Sequence, residues 1–408
     1  MKLNYSFLPA TTQFIHAILL AFSFSAFIYE EYYGVSFLAL NSLLAFYALF
    51  AFLTYDRKTI ILAGFFIGEL WFYWIGYSFE YYHVSYMIPI ITIGFGLIYA
   101  LFFGLITITN KPYFRALILF ALSFFEPMDF NWMQIELIFI DSYFGILKWQ
   151  FGLILLSLTF FIMLKNRVRY LALVLLLGSL NFSSTTRELP PLDIELVSMN
   201  LAQELKWLPE TRESILVYNY KAIESAIENK KDLVVLSESA FPLYLNMHED
   251  IIEKLKTYSE QIAIITGALL YEDENSYNVT YFFDQRSMQI AKKMVLVPFG
   301  EYIPLPLFMR DFINKTFFNG ASDYLSADKP TDFIIKGVKF RNAVCYEATC
   351  KEIYEDNPKY VIATSNNAWF TPSIEPTLQR LLMKFYSLKY NTIIFHSANS
   401  AGTGILNP

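Results

Sequence analysis

The first 185 residues run as a succession of apolar stretches long enough to cross a bilayer. No other feature limits the fold so strongly. A spanning helix needs about 20 mostly apolar residues. Seven stretches meet or approach that length: 10–29, 34–54, 59–78, 84–108, 112–126, 147–164 and 169–185, the fifth and seventh being the shortest. Charged side chains make up 17% of the 408 residues, and only 18 of the 68 lie before residue 186. The chain therefore reads as a membrane bundle of about seven spans over 1–185, a linker at 186–192 and a water-soluble domain over 193–408. The stretch from residue 10 is not a cleaved signal peptide, because further spans follow it and no small-residue cleavage site appears.

Loop charges set the orientation, since Lys and Arg concentrate on the cytoplasmic side. Lys2, the Asp56-Arg57-Lys58 turn, Lys111 with Arg115, and Lys165, Arg167 and Arg169 fall on alternate loops. Glu30-Glu31, Glu80 with His83, and the loop bearing Glu126, Asp129, Glu136 and Asp141 fall on the others. The amino terminus is then cytoplasmic, and seven crossings put residue 186 outside. Glu69 lies inside the third span, where a carboxylate is costly and either functional or paired within the bundle. The loop Phe125-Glu126-Pro127-Met128-Asp129-Phe130-Asn131-Trp132 is too polar to span and aromatic enough to sit at the outer interface.

Past the linker Ser183-Ser184-Thr185-Thr186-Arg187-Glu188-Leu189-Pro190-Pro191, Val/Ile/aromatic runs alternate with helical stretches. Strands are predicted near 193–199, 232–237, 262–270, 277–284, 334–345, 359–365 and 392–398. Helices are predicted near 209–229, 248–260 and 374–388. This alternation describes an α/β layered domain. A net charge of −6 and the lack of a basic run argue against nucleic acid as a partner. Cys345 and Cys350, the two cysteines of the chain, make neither a disulfide framework nor a zinc site. No metal or cofactor is expected, and the chain is read as a monomer.

Three predicted strand ends carry residues able to do chemistry. The run Leu233–Leu236 leads to Glu238 ahead of Pro242. Lys293 precedes Val295-Leu296-Val297-Pro298-Phe299-Gly300. Val344 leads to Cys345-Tyr346-Glu347. Each has a bland alternative: a loop glutamate, a solvated lysine, a core cysteine. Together they are chemically coherent. A cysteine nucleophile needs a base, and histidine is scarce, only His248 and His396 lying in this half. A glutamate can take the thiol proton and return it to a leaving group. A lysine, helped by a backbone N–H, can stabilise an oxyanion. Spacing alone does not establish such a triad. Cys350 is read as structural.

Glu…Lys…Cys at three strand ends resembles the nitrilase superfamily. The words around them are more specific: Lys293 with Leu296-Val297-Pro298-Phe299-Gly300-Glu301-Tyr302, Cys345-Tyr346-Glu347, Ser365-Asn366-Asn367-Ala368-Trp369-Phe370, Glu238-Ser239-Ala240-Phe241-Pro242, and Lys206-Trp207. They look like the bacterial apolipoprotein N-acyltransferase family, and the resemblance extends over nearly the whole chain. It implies a multi-span helical bundle followed by an extracytoplasmic αββα nitrilase-like domain in the bacterial inner membrane. It implies transfer of an acyl chain from a membrane phospholipid, through a cysteine thioester, to the α-amino group of a diacylglyceryl-cysteine apolipoprotein. By position, Glu238 would be the general base, Lys293 the oxyanion stabiliser and Cys345 the nucleophile. Trp207, Glu301, Tyr346 and Glu347 would support the site or the substrate.

Some segments depart from the family pattern. Asn367 stands where Asp is more usual, the stretch 389–399 lacks an expected arginine, and Phe130-Asn131-Trp132 occupies the place of a Phe-Pro-Trp loop. The family's usual span after the domain is not seen before Pro408. Two other functions stay open at this point: a membrane-anchored nitrilase-type amidase, and an inactive nitrilase-like domain on a transporter or sensor.

Overall fold

The computed structural model describes residues 9–81, 84–127, 130–182, 187–298, 300–302 and 324–408. Lys2, His83, Asp129, residues 183–186 of the linker and Phe299 lie outside the described residues. Contacts divide the chain into two compact units, Met1–Pro127 with Trp132–Ser183, and Met128–Asn131 with Ser184–Pro408.

The first unit is helical. Its long elements are α1 (Ala10–Tyr32), α2 (Leu38–Thr54), α3 (Arg57–Phe72), α4 (Ile88–Gly104), α5 (Pro112–Leu122) and α6 (Lys148–Met163). A 3-10 turn continues α3 through Glu80, and others flank α4. Among the described residues, three helical stretches are long and apolar enough to cross a membrane: Ala10–Tyr32, Arg57–Glu80 and Ser85–Ile108. Leu38–Thr54, Pro112–Leu122 and Lys148–Met163 are apolar but shorter. The interior is aromatic, with Phe24, Phe52, Trp71 and Phe103 buried against one another. Leu43, Leu97, Leu101 and Ile108 face outward, the pattern of a bundle solvated by lipid. Gly64 and Gly68 let α3 meet α4 backbone to backbone. A Cβ at either would stand 2.6 Å from a carbonyl oxygen of Tyr99 or Phe95.

The described part of the seventh expected span changes helical pitch: a 3-10 helix, Asn166–Leu173, leads into a five-residue helix, α7 (Val174–Gly178), and Leu180 then bridges Phe144. Together the two cover roughly 24 Å, short of the ~30 Å hydrocarbon core. Arg167 and Arg169 interrupt the apolar face, and Asn166 enters with a φ of 58°. The run of apolar letters hid this change of helical pitch.

The second unit is built on two sheets. Strands β1 (Ile194–Leu196), β2 (Leu233–Val235), β3 (Phe241–Tyr244), β4 (Ala263–Glu272), β5 (Asn275–Asp284) and β6 (Ser287–Lys292) form one sheet in the order β1-β2-β4-β5-β6, β3 pairing with β4. Strands β7 (Asp332–Ile335), β8 (Val338–Val344), β9 (Tyr360–Asn366), β10 (Ile393–Asn399) and β11 (Gly404–Leu406) form the other, in the order β11-β10-β9-β8-β7. Between them lie Leu233, Val235, Ile265, Phe282, Phe333, Phe340, Ile362 and Phe395. On the outer face of the first sheet, α9 (Pro209–Glu228) and α10 (Glu249–Tyr258) enclose a second core that includes Ile223, Val234, Ile252 and Phe283. A short helix, α8 (Gln203–Lys206), precedes α9, and α11 (Lys351–Tyr354) and α12 (Glu375–Tyr390) belong to the second sheet's side. This is an αββα sandwich. The parallel strands β2, β9 and β10 are buried on both faces, as helix-covered sheets require.

Several elements differ from the sequence reading, among them the unpredicted strands β3 and β11. The run 334–345 is a hairpin rather than one strand, because Lys336 (φ 47°) and Gly337 (φ 80°) form a two-residue turn. Strand β6 was not among the predicted strands, yet it pairs with β5 over six residues. Its exposed polar face disguises it.

Candidate active site

The three singled-out residues each stand just beyond a strand. Cys345 follows β8 directly, Lys293 follows β6 directly, and Glu238 lies three residues beyond β2. Cys345 opens a 3-10 turn, Cys345–Thr349, with a φ of 54°. A non-glycine residue there carries roughly 1–2 kcal/mol of strain, which the surrounding hydrogen bonds must hold. Ser239, next to Glu238, is also left-handed at φ 47°. Gly267 of β4 makes room for this turn, since a Cβ there would sit 2.5 Å from Ser239 N and 2.7 Å from Glu238 Cα.

A hydrogen-bond network ties the side chains together. Asn278 of β5 donates through Nδ2 to Glu238 Oε1 at 2.7 Å and to Glu301 Oε1 at 3.0 Å. Glu301 Oε2 pairs with Lys293 Nζ at 2.7 Å and accepts from Val297 N at 2.8 Å. Lys206 donates through Nζ to the backbone oxygen of Glu238 at 2.9 Å. Glu347 links two strand ends. Its Oε1 accepts from Val344 N at 2.6 Å, and its Oε2 accepts from Met294 N and Val295 N at 2.9 and 3.1 Å. Those backbone groups adjoin Cys345 and Lys293 respectively, so one carboxylate fixes the spacing of the lysine and the thiol. Gln379 of α12 donates through Nε2 to Cys345 Sγ at 3.8 Å, and its Oε1 accepts from Asn367 Nδ2 at 3.1 Å. Asn367, the departure from the family pattern, thus uses its amide to orient Gln379.

The electrostatics are those of a buried charge cluster. Burial alone would depress the Lys293 ammonium, but the charges of Glu301, Glu238 and Cys345 outweigh it and hold the group above its usual range. Lys206 goes the other way, pushed down to about 8 by burial against the opposing charges of Glu238 and Cys345. Burial raises the Cys345 thiol, and Glu238 raises it further, while Lys293 lowers it. In the absence of substrate the sulfur is therefore a thiol that needs a base. Burial lifts Glu347 to about 7 in spite of Lys293 and three backbone donors.

The cluster contains most of the residues read from the sequence. Glu238, Lys293, Glu301, Tyr346 and Glu347 are 1–12% exposed, and Cys345 is half-buried. Tyr346 stands aside from the carboxylates. Its OH accepts from Asn131 N at 3.2 Å, its ring stacks on Phe130 at 6.1 Å, and Asn131 Nδ2 also reaches Thr349 O at 2.6 Å. Trp207 is not in the network, being 42% exposed at the end of α8. Cys350 is buried with its Sγ donating to Tyr346 O at 3.4 Å. His396 bonds at both ring nitrogens, to Gly402 O and Ser365 Oγ, each at 2.8 Å, and burial lowers it to about 4. It is a neutral structural histidine and no rival base.

Four residues of the cluster were not singled out by sequence reasoning: Lys206, Asn278, Glu375 and Gln379. Lys206 was visible only as the neighbour of Trp207. Asn278 had a usable signal, a polar residue one position before the apolar run Val279–Phe283. Glu375 and Gln379 are one turn apart on α12, a spacing too common to stand out.

Residues 11–182 match the family described as the apolipoprotein N-acyltransferase integral membrane domain. The chain is 45% identical over 390 residues to a protein of Wolinella succinogenes named apolipoprotein N-acyltransferase, covering 95% of this chain and 94% of the relative. A Helicobacter pylori protein of the same name is 39% identical, over 91% of this chain and 88% of the relative. Among solved structures, an amidase from Nesterenkonia sp. aligns with 55% of this chain and 83% of its own at 13% identity, with a TM-score of 0.38, too loose a likeness to bear on function.

Proposed function

The chain belongs to the apolipoprotein N-acyltransferase family, and from that membership we propose a ping-pong reaction in which Cys345 carries the acyl chain. It is a multi-pass bacterial membrane acyltransferase. The donor in this reading is a membrane phospholipid, and the acceptor is the free α-amino group of a diacylglyceryl-cysteine apolipoprotein. One observation carries the reading: a strand-end thiol with a left-handed backbone shares a buried, mutually charged cluster with one lysine and one glutamate.

In the first half-reaction Glu238 takes the Cys345 proton as sulfur attacks the ester carbonyl. Lys293 Nζ and a backbone N–H beyond Cys345 stabilise the oxyanion. Collapse breaks the ester C–O bond, and Glu238 passes its proton to the departing lysophospholipid oxygen. In the second half the neutral amine attacks the thioester carbonyl. Glu238 takes a proton from nitrogen, the C–S bond breaks, and that proton returns to sulfur. Glu301 and Asn278 hold Lys293 and Glu238 in register, and Glu347 fixes the strand ends. Trp207, exposed beside the site's first helix, is suited to touch lipid rather than the reacting atoms.

Orientation follows from the loop charges together with chain connectivity. Phe130 and Asn131 come from the acidic loop read as external, and they belong to the same unit as Tyr346 and Thr349. That unit and that loop then share one side, which supports a periplasmic catalytic domain on the inner membrane.

The test is acceptor chemistry. The purified full chain, given a labelled phospholipid and a diacylglyceryl peptide, should acylate the peptide when its α-amine is free and not when that amine is acetylated. Equal acylation of both peptides, or none of either alongside release of ammonia from a soluble amide, would contradict the assignment.

A further inference from the structure

One carboxyl in the cluster has no task in the reaction above. Glu375 is 2% exposed, and its Oε2 is sealed from solvent without a hydrogen-bond partner among the described residues. It begins α12, close enough to Glu238 and Cys345 to couple electrostatically to both. Gln379, four residues on and therefore on the same face, donates to Cys345 Sγ at 3.8 Å. The first turns of α12 thus bring a second carboxyl to the thiol. Burying an unpartnered carboxyl costs free energy that packing would avoid with an apolar residue. Burial first, then the Glu238 charge, hold Glu375 well above the usual carboxylate range, so the empty site keeps it protonated.

The acceptor supplies a partner. An α-amino group titrates at about 8, so it arrives mostly as an ammonium with no lone pair. On forming the amide it sheds two protons, while sulfur takes back one. Glu238 relays the proton that reaches sulfur. The other needs a second acceptor.

We propose that Glu375, together with Glu238, forms the subsite for the acceptor's α-ammonium, and that Glu375 takes the proton not returned to sulfur. The proposal rests on the acyltransferase reading above. As the cation seats, Glu375 releases its own proton to solvent and pairs with the ammonium, then receives one proton from nitrogen. The neutral amine forms the N–C bond, the C–S bond breaks, and the second nitrogen proton passes through Glu238 to sulfur. Each turnover releases one proton and leaves Glu375 protonated and Glu238 ionised, as at the start.

The test separates the two half-reactions in the detergent-purified full chain. Glu375→Gln should form the thioester from labelled phospholipid within a few-fold of the wild-type rate. Its transfer to the peptide α-amine should fall at least tenfold, with a raised KM for the peptide. Hydroxylamine, which is neutral at pH 7, should cleave the Glu375→Gln thioester at the wild-type rate. Glu375→Asp, which keeps the carboxyl, should recover much of the peptide transfer. Unchanged transfer in Glu375→Gln would overturn the proposal. So would equal slowing of acylation and transfer, or equal slowing with hydroxylamine and the peptide. If Glu375→Gln does not fold, wild-type selectivity for the peptide over hydroxylamine must persist in Glu375→Asp, and its loss there would count equally against the subsite. Absence of a thioester on the wild-type chain would instead remove the acyltransferase reading itself.

Discussion

At the residue scale, the proposed mechanism depends on opposite charges held close in a poorly solvated place. Removing the Glu238 carboxylate should slow thioester formation by about 10²–10⁴, the usual worth of a general base. Removing the Lys293 ammonium should cost roughly 10²–10³, as loss of an oxyanion donor does. Single-turnover acylation of Glu238→Gln and Lys293→Ala checks both, and a wild-type rate in either removes that residue from the chemistry. Gly267→Ala is a more indirect probe. The added methyl meets Ser239 N and Glu238 Cα at well under contact distance, so Glu238 must move. Acylation should fall while Cys345 stays reactive to a small alkylating agent, and loss of both would indicate a wider collapse. Glu347 carries a pH signature. A buried carboxyl lifted to about 7 adds stability while protonated and loses it as pH rises from the ordinary carboxylate range through that value. The melting temperature of the wild type, measured against Glu347→Gln, should therefore fall between about pH 5 and about pH 8. A constant difference across that window would show that Glu347 does not titrate there.

At the element scale, what was legible in the sequence is what periodicity and apolar runs encode. The helices now at Pro209–Glu228, Glu249–Tyr258 and Glu375–Tyr390 were placed within two residues, because their apolar spacing is helical and no competing signal interrupts them. The buried strands β2, β4, β9 and β10 were legible for the same reason. The hairpin at Lys336-Gly337 was missed because one strand flows into the next with a turn of only two residues. The change of pitch within 166–178 was not legible because a 3-10 helix and an α-helix look alike as letters. Of the candidate site, Glu238 and Cys345 were legible because each follows an apolar run, and Lys293 because it precedes one. Glu375 was not, because the groups it couples to, Glu238 and Cys345, come from distant strand ends. The same distance rule governs the first unit. Glu136, buried in the 3-10 turn Ile135–Phe139, pairs with Lys148 Nζ at 2.5 Å at the start of α6. Lys148→Met removes the cation paired with a buried carboxylate, a change that costs stability. Its melting temperature should drop, and adding Glu136→Gln should recover part of the loss. A double variant no more stable than the single one would show that the pair is not the cause.

At the scale of the whole molecule, the proposed reaction sets one requirement: a membrane phospholipid donor has to reach the Cys345 thiol. The topology makes a clear prediction. A protease or membrane-impermeant reagent added to the periplasmic side should reach residues 187–408, and protection there would reverse the orientation drawn from the loop charges. The central claim, an acyl chain resting on one particular sulfur, can be measured directly. Incubating the detergent-purified chain with a labelled phospholipid and mapping the modified peptide should give a hydroxylamine-sensitive adduct on Cys345, lost in Cys345→Ala and kept in Cys350→Ala. An adduct that survives Cys345→Ala, or one that resists hydroxylamine, would contradict the account.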